Sequence, residues 1–265
     1  MQTMNQGERA FNLCVRCGTC RTVCPVFEEA GWESANTRGR MMIIKELCSG
    51  RLEADQGVKD SLNTCTTCGL CTENCPAGIS PPDIIERARG MLVALGLTTS
   101  ELEDLDRKIL NSGNTFGEKT DRLCWLPDRS LIREKADYVY FVGCMNSYRY
   151  HEAARRTFSI LSQFGATLLA GEQCCGSPLL RTGFDARKVI DENSRQIKRI
   201  GARTVITGCA GCYTTLKNSY GNQFQVLSVP EFLAQHISEI DLKPLDITVT
   251  YHDPCHLGRH NRIYE

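Results

Sequence analysis

The chain has 265 residues, of which 42% are hydrophobic, and its 31 Lys and Arg residues balance 31 Asp and Glu residues. This composition is typical of a globular protein and excludes collagen-like repeats and general disorder. Zero net charge argues against a dedicated nucleic-acid binder, because such proteins need a basic surface to neutralise phosphates. The sequence shows no secretory signal or spanning apolar run, so we expect a cytoplasmic location. There the 16 cysteines favour metal ligation over structural disulfides.

The first predicted elements form an all-helical domain over residues 1–112, built around a repeated cysteine run. CVRCGTCRTVCP, which starts at Cys14, recurs as CTTCGLCTENCP, which starts at Cys65. TRGRMMIIKELCSG lies between the runs, carries apolar residues at helical spacing and ends at Gly50. PPDIIERARGMLVALG follows the second run and starts with prolines, which suit the first turn of a helix. Both segments are therefore predicted to be helices, and no convincing strand is present.

The spacing C-x2-C-x2-C-x3-C-P predicts two 4Fe-4S cubane clusters. Three closely spaced thiolates bind one cubane, and the fourth, which precedes a proline, binds the other. Gly18 and Gly69 follow the second cysteine of each run and let the backbone turn tightly. Zinc also uses CxxC pairs, but a triplet with a distant single cysteine suits it poorly. The predicted ligands are Cys14, Cys17, Cys20 and Cys75 for the first cluster, and Cys65, Cys68, Cys71 and Cys24 for the second.

The stretch 113–130 is rich in turn-forming residues and is predicted to be a linker. Beyond it, over residues 131–246, short β-rich runs alternate with helical stretches, which predicts a Rossmann-like α/β domain with a mostly parallel sheet. Residues 247–265 then begin a further strand and motif, ITVTYHDPCHLGRH. The expected fold class is α plus α/β. Since a strand followed by half a motif does not complete an α/β domain, we expect other polypeptide to complete it.

The α/β region carries a second set of cysteines. Cys144 closes the first β-rich run, Cys174 and Cys175 are adjacent, and Cys209 and Cys212 follow a later run. Five thiolates exceed what zinc or an ordinary cubane needs, and a vicinal pair suits neighbouring irons of a larger, open cluster. Most of these cysteines follow strand ends, where open α/β sheets bind ligands.

These motifs resemble the CCG (cysteine-rich) domain of heterodisulfide reductases, and most closely the D subunits of that family, in which a dicluster ferredoxin domain precedes two CCG domains. CCGSPLLRTG, GCAGCYTTLK and YHDPCHLGRH carry the resemblance, which extends over essentially the whole chain. The resemblance implies a non-cubane 4Fe-4S cluster held by five residues, Cys144, Cys174, Cys175, Cys209 and Cys212. It also implies that Cys255 is the first ligand of a second motif, which is incomplete here.

The resemblance further implies an oxidoreductase subunit, active within a complex, that passes electrons through two cubanes to the CCG cluster. There it would reduce a thiol disulfide of the coenzyme M–coenzyme B type, as in methanogenesis. The implied partners are a membrane cytochrome b subunit or a flavoprotein or hydrogenase electron donor, a polypeptide completing the second CCG motif, and the disulfide substrate. Any membrane association would run through such a partner.

Two alternatives remain open. One is an iron–sulfur subunit of a flavin-dependent dehydrogenase, of the glycolate oxidase or anaerobic glycerol-3-phosphate dehydrogenase type, which delivers electrons to quinone. Because no GxGxxG follows a predicted strand, any flavin would lie on a partner. The other alternative is a structural zinc site at the CCG motif, which gives Cys174 and Cys175 no redox role.

Reducing a disulfide requires two electrons and two protons. Cys174 and Cys175 are the candidate catalytic thiols, and His256 is the candidate proton donor because histidine titrates near neutral pH. His252 and Asp253 are further candidates. The simpler interpretation, that these groups cap the strand end and pack beside the cysteines, is favoured. A metal site formed by His252, His256 and His260 is disfavoured, because Pro254 and Gly258 interrupt a helix there.

The remaining polar and sulfur-bearing candidates have weaker signals. Arg149, Arg181 and Lys217 lie near cluster cysteines in sequence and could attract an anionic substrate, although solvated surface charge is the favoured role. Cys48 and Cys124 lie outside every motif and are expected to be buried as small apolar residues.

Overall fold

The computed structural model describes residues 13–264. Contacts divide the chain into two compact units. The helical unit comprises residues up to 103 together with Pro178–Asp185, and the sheet unit comprises Asp104–Ser177 together with residues from 186 onward. The segment that follows the vicinal cysteines therefore belongs to the helical unit.

The helical unit contains three longer helices and several short ones. In chain order they are α1 Thr19–Thr22, α2 Pro25–Ala30, a 3₁₀ turn Glu33–Ala35, α3 Thr37–Cys48, α4 Gln56–Asn63, α5 Leu70–Glu73 and α6 Pro81–Ala94. Asn36 and Asp55 begin α3 and α4 because their side chains accept hydrogen bonds from the backbone N–H groups of Gly39 and Val58. Between residues 13 and 103 the structure has no strand, so the all-helical prediction is confirmed.

Helices α3, α4 and α6 enclose the core of this unit. Its buried members are Met41, Ile44, Val58, Leu62, Ile79, Ile84, Ile85, Ala88 and Leu92. Cys14, Cys65 and Cys75 pack against this cluster, so the predicted ligands border the core.

The sheet unit is a Rossmann-like α/β layer, as predicted. Its strands are β1 Tyr138–Phe141, β2 Thr167–Leu168, β3 Thr204–Thr207 and β4 Gln225–Ser228, all parallel, in the order β2-β1-β3-β4. The helices that follow α6 in the chain are α7 Ser100–Ser112, which begins in the helical unit, α8 Gly143–Tyr148, α9 His151–Gln163, α10 Ser177–Thr182, α11 Arg187–Ile200, α12 Ala210–Ser219, α13 Val229–Gln235 and α14 Gly258–Asn261; all except α10 lie wholly or mostly in the sheet unit. Helix α10 passes into the helical unit after its first residue.

Both faces of the sheet are covered by buried side chains. Because successive residues of a strand point to opposite faces, Tyr140 lies in one hydrophobic cluster and Val139 and Phe141 in the other. Such two-sided burial is typical of parallel sheets.

Two segments differ from the expectations. The stretch 113–130, expected to be a linker, packs on the sheet unit, where Leu123, Trp125 and Leu126 are buried in the core. The run at 247–251, expected to be a strand, has no strand partner among the described residues. Its side chains stay exposed, Ile247 at 66% and Val249 at 78%, so no burial favours an extended pairing. Within residues 13–264 no helix is long and apolar enough to cross a bilayer.

Candidate metal centres

The first thiol set surrounds one cavity of the helical unit. Gly18, with a φ of 87°, turns the chain so that α1 begins directly after it. The cysteines that line the cavity come from both runs, namely Cys14, Cys17, Cys20 and Cys75. Burial and the neighbouring thiols of Cys14, Cys17 and Cys75 raise the pKa of the Cys20 thiol to about 11. Cys17 is exposed, so this set reaches the protein surface.

The second thiol set lies deeper in the same unit. Gly69, with a φ of 81°, turns the chain so that α5 begins directly after it, as Gly18 does for α1. Cys71 is buried, and burial with the neighbouring thiols of Cys65, Cys68 and Cys20 raises its pKa to about 12. Cys24 contributes to the electrostatic environment of Cys65. The cavity of the first set includes Cys75 of the second run, whereas the place of Cys24 in the second set stays a prediction.

The third set lies at the carboxyl edge of the sheet. Cys144 follows β1, the pair Cys174–Cys175 follows β2, and Cys209 and Cys212 follow β3. β1 connects to β2 on one side and its neighbour β3 connects to β4 on the other, so the two connections leave in opposite directions and open a crevice at the strand ends. Gly143 has a φ of 77°, and a Cβ there would lie 3.3 Å from Cys212 Sγ. This glycine lets the backbone approach the cysteines closely.

The thiols of this third set lie close enough to shift one another's pKa, in the pairs Cys144 and Cys174, Cys174 and Cys175, Cys175 and Cys212, and Cys212 and Cys209. The bonds that Cys175 accepts from Cys174 and Cys212 lower its pKa to about 6. The bond from Cys212 likewise lowers the pKa of Cys209 to about 6. For Cys144, the hydrogen bond to Cys174 and burial both raise the pKa. The pKa values of Cys175 and Cys209 thus lie below that of an ordinary thiol, and the thiolate is the form that ligates metal.

The chemistry of this donor set fits an iron–sulfur group. Backbone N–H groups also point at the sulfurs, with the N–H of Ser177 3.5 Å from Cys175 Sγ and those of Gly211 and Cys212 directed at Cys209. Hydrogen bonds of this kind stabilise the negative charge of cluster sulfurs. Among residues 13–264, no three His, Cys, Asp or Glu side chains surround a single metal-ion position.

A buried ion pair supports the third set. Arg122 Nη2 donates to Cys144 Sγ at 3.4 Å, and Arg122 Nε donates to Glu172 Oε1 at 3.0 Å. The Glu172 carboxylate also accepts from the backbone N–H groups of Val142, at 2.8 Å, and Gly143, at 2.9 Å. Burial raises the pKa of Glu172, while Arg122 and the two N–H groups oppose that rise. Glu172 therefore holds the backbone before Cys144 in place, and Arg122 places a positive charge beside the Cys144 sulfur.

Sequence reasoning missed both members of this pair. Arg122 lies in the segment expected to be a linker, where an isolated arginine gives no signal. Glu172 lies two residues before the vicinal cysteines, a position that could have drawn attention to it.

The predicted residues of the last segment lie around Thr214 of α12. Thr214 Oγ1 donates to the carbonyl of His256 at 3.0 Å, and Asn261 donates to the same carbonyl at 2.6 Å. The His256 ring lies 4.4 Å from the His260 ring, measured between centroids. Cys255 and Asp253 are half-buried, and His252 is exposed. The proton-donor role of His256 stays a prediction.

Two expectations for the remaining residues were wrong. Arg181 is not solvated surface charge, because its side chain is 20% exposed and pairs with Glu86 at 3.0 Å. Cys124 is exposed rather than buried, since the flanking Leu123 and Trp125 take the inward positions.

The other three residues keep ordinary environments. Arg149 pairs with Glu118 at the surface, as expected of solvated charge. Lys217 is exposed, with its Nζ 5.4 Å from the Tyr213 ring centroid. Cys48 packs half-buried against the core of the helical unit.

Comparisons with known proteins agree with this architecture. Residues 10–79 match the 4Fe-4S dicluster domain family, and residues 138–217 match the cysteine-rich domain family. The chain is 33% identical to the D subunit of the dihydromethanophenazine:CoB–CoM heterodisulfide reductase of Methanosarcina barkeri, over 96% of this chain and 70% of that protein. No solved structure matches the chain.

Other relatives also align over nearly the whole chain. The chain is 36% identical to the B subunit of the fumarate reductase (CoM/CoB) of Methanothermobacter marburgensis, over 96% of this chain and 53% of that protein. It is 26% identical to the EtfAB:quinone oxidoreductase of Syntrophomonas wolfei, over 96% and 44% respectively. The cofactors shared by these domains are iron–sulfur clusters. The chain belongs to the family of heterodisulfide reductase D subunits, and it is an iron–sulfur electron-transfer component of an oxidoreductase.

Proposed function

We propose that the chain conducts electrons from a redox partner through two cubane 4Fe-4S clusters to a non-cubane 4Fe-4S cluster, where a thiol disulfide is reduced. The ligands of the cubanes are the two four-cysteine sets of the helical unit. The ligands of the non-cubane cluster are Cys144, Cys174, Cys175, Cys209 and Cys212. The observation that carries the proposal is the position of five cysteines, including a vicinal pair, after the carboxyl ends of three neighbouring parallel strands.

The residues of the third set supply the surroundings that this chemistry needs. Reduction of a disulfide consumes two electrons and two protons and releases two thiols, and a bound cluster supplies electrons one at a time. Arg122 holds positive charge beside Cys144, and Glu172 orders the backbone that presents it. Hydrogen bonds to sulfur tune the potential of such a site. His256 is proposed as a proton donor from the segment bound to α12.

The proposed substrate is a mixed disulfide of the coenzyme M–coenzyme B type. The support is the identity with a heterodisulfide reductase D subunit whose name carries that reaction. The proposed partners are those that the resemblance to the family implies: a membrane cytochrome b subunit or a flavoprotein or hydrogenase as donor, and polypeptide that completes the motif begun at Cys255.

A second candidate function is electron delivery from a flavoprotein to quinone. It is favoured by one observation, the likeness to a quinone oxidoreductase over 96% of this chain. The two candidates differ at the third set, because only the first requires a substrate sulfur to react there.

The first test is to purify the protein anaerobically and measure iron, sulfide and zinc. Three four-iron clusters require about 12 iron atoms per chain. About 8 iron atoms with bound zinc would contradict the assignment of the third set.

The second test separates the two candidate functions. Reduced viologen should be oxidised by the CoM–CoB disulfide and not by a quinone analogue, and Cys175→Ser should abolish this activity. Cys124→Ser is the matched control, because Cys124 is exposed and lies outside the thiol sets. Quinone-dependent oxidation without disulfide-dependent oxidation would favour the second candidate.

A further inference from the structure

Two buried arginines meet at the end of α4, directly before Cys65. Arg40 is 1% exposed and donates to the Ser61 carbonyl at 2.7 Å and to Thr64 Oγ1 at 2.9 Å. Arg89 is 6% exposed and donates to the carbonyls of Leu62, at 2.7 Å, and of Cys65, at 2.6 Å. Both guanidinium groups thus flank the first cysteine of the second run.

These two charges are not neutralised by an ion pair. Among residues 13–264, Arg40 and Arg89 donate to backbone carbonyls and one hydroxyl. The nearby carboxylate of Glu86 pairs with Arg181 instead, at 3.0 Å. Because a guanidinium remains protonated in proteins, the surroundings of Cys65 carry net positive charge.

The first thiol set has no equivalent charge. The arginines that line its cavity are Arg16, which is exposed, and Arg38, whose side chain is 33% exposed and pairs with Glu33 at 2.6 Å. Arg21 lies 3.6 Å from the same carboxylate. Exposed and paired charges are screened by water and salt, whereas buried charges act through a lower dielectric. The repeated sequence therefore produces two electrostatically unequal sites.

The arginines also have a structural role, which does not cancel this difference. They satisfy the last carbonyls of α4, which have no partners within the helix. The negative end of a helix dipole amounts to about half an elementary charge, so two guanidinium groups exceed it. Deeper burial of the second set opposes reduction there, but two unscreened unit charges outweigh a partial loss of solvation.

We propose that Arg40 and Arg89 raise the reduction potential at the second thiol set above that at the first. The proposal rests on the ligand sets given under the proposed function. A single electron from an external one-electron donor, entering at the surface-exposed first set, would then come to rest at the second.

The test is a redox titration of the anaerobically purified holoprotein, followed by EPR. We expect the two cubane signals to develop at different potentials. Cys65→Ser should alter or remove the signal that develops first, and Cys14→Ser should leave it intact. The reverse assignment, or equal potentials, would overturn the proposal. This measurement does not depend on whether arginine variants fold.

The arginine variants test the cause. Arg89→Met should lower the reduction potential of the second thiol set, whose signal develops first in the native protein. The expected change is at least tenfold in the reduction equilibrium, about 59 mV for one electron. Arg89→Lys keeps the charge and should restore most of that loss. Arg38→Met is the matched control and should leave the potential of the second thiol set unchanged, since Arg38 is partly exposed and pairs with Glu33. If the reduction potential of the second thiol set were unchanged in Arg89→Met, the electrostatic role of Arg89 would be refuted.

The failure of this inference differs from failure of the proposed function. If no pair of 4Fe-4S signals forms at all, the proposed ligand sets are wrong. If both signals form but their order is reversed or ignores Arg89, only the role of the arginines is wrong.

Discussion

At the scale of single residues, Glu172 is engaged on both carboxylate oxygens. One oxygen accepts from Arg122 and Gly143 and the other from Val142, and the side chain is 1% exposed. Two buried charges are tolerable only while each has its partner, because an unpaired buried charge costs several kcal/mol. The stability of the sheet unit near Cys144 therefore depends on both residues together.

Arg122→Met should destabilise the protein by about 3–5 kcal/mol, since it leaves the Glu172 carboxylate buried without its cation. The double variant Arg122→Met with Glu172→Gln should recover part of that loss, because both charges are then gone. Thermal unfolding under anaerobic conditions measures both. Arg156→Met removes a pair that is 78% and 61% exposed and should change stability by less than about 1 kcal/mol. A double variant no more stable than Arg122→Met would contradict this account.

The residues that could be predicted are those whose spacing is dictated by chemistry. The crossed cubane motif and the CC pair are local patterns, so the cysteines were visible in the sequence. Arg122 acts on Cys144 across 22 positions of the chain, and Arg181 meets Glu86 across 95. Such contacts arise from tertiary packing, so no local sequence pattern predicts them.

At the scale of elements, the segment Pro178–Asp185 packs closely on α6. Gly183 has a φ of 90°, and a Cβ there would lie 2.5 Å from backbone atoms of Arg89 and Gly90. Neither backbone can yield without moving a helix. This glycine therefore lets the chain that follows the vicinal cysteines reach the helix that carries Arg89.

Gly183→Ala should destabilise the helical unit by about 2–5 kcal/mol, because backbone strain and overpacking add. Gly201→Ala is the matched control: its φ is 80°, but nothing lies within 4 Å of an added Cβ. We expect it to cost only the strain of about 1–2 kcal/mol. Denaturant unfolding compares the two variants, and equal losses would show that the close approach is unimportant.

The elements themselves were predictable where burial and periodicity agree. Helices α3, α6 and α11 were visible from apolar spacing and their end signals, and the four parallel strands from short β-rich runs. The run at 247–251 has the same composition but stays exposed, at 75% for Tyr251. A strand requires a neighbour as well as a suitable sequence, and the sequence of the run does not contain that information.

At the scale of the whole molecule, the two units differ in the size of their apolar cores. Among its described residues, the helical unit has one cluster of nine buried side chains, bordered by three of the predicted ligand cysteines, and its helix α1 buries no residue. The sheet unit has two clusters, of thirteen and ten buried residues, on the two faces of its sheet. Small cores commonly depend on bound metal for their stability, so the helical unit should depend on its clusters far more.

Removal of iron should therefore unfold the helical unit first. After oxidation and chelation, hydrogen exchange followed by mass spectrometry should show rapid exchange of the amides of α3, α4 and α6. Strands β1 and β3 should keep their protection, with losses confined to the loops at Cys144 and Cys174. The same chelator without oxidant leaves the clusters in place and serves as the control. If β1 and β3 lost protection together with α3, the sheet unit would also depend on its cluster, because its two apolar faces alone would not hold it folded.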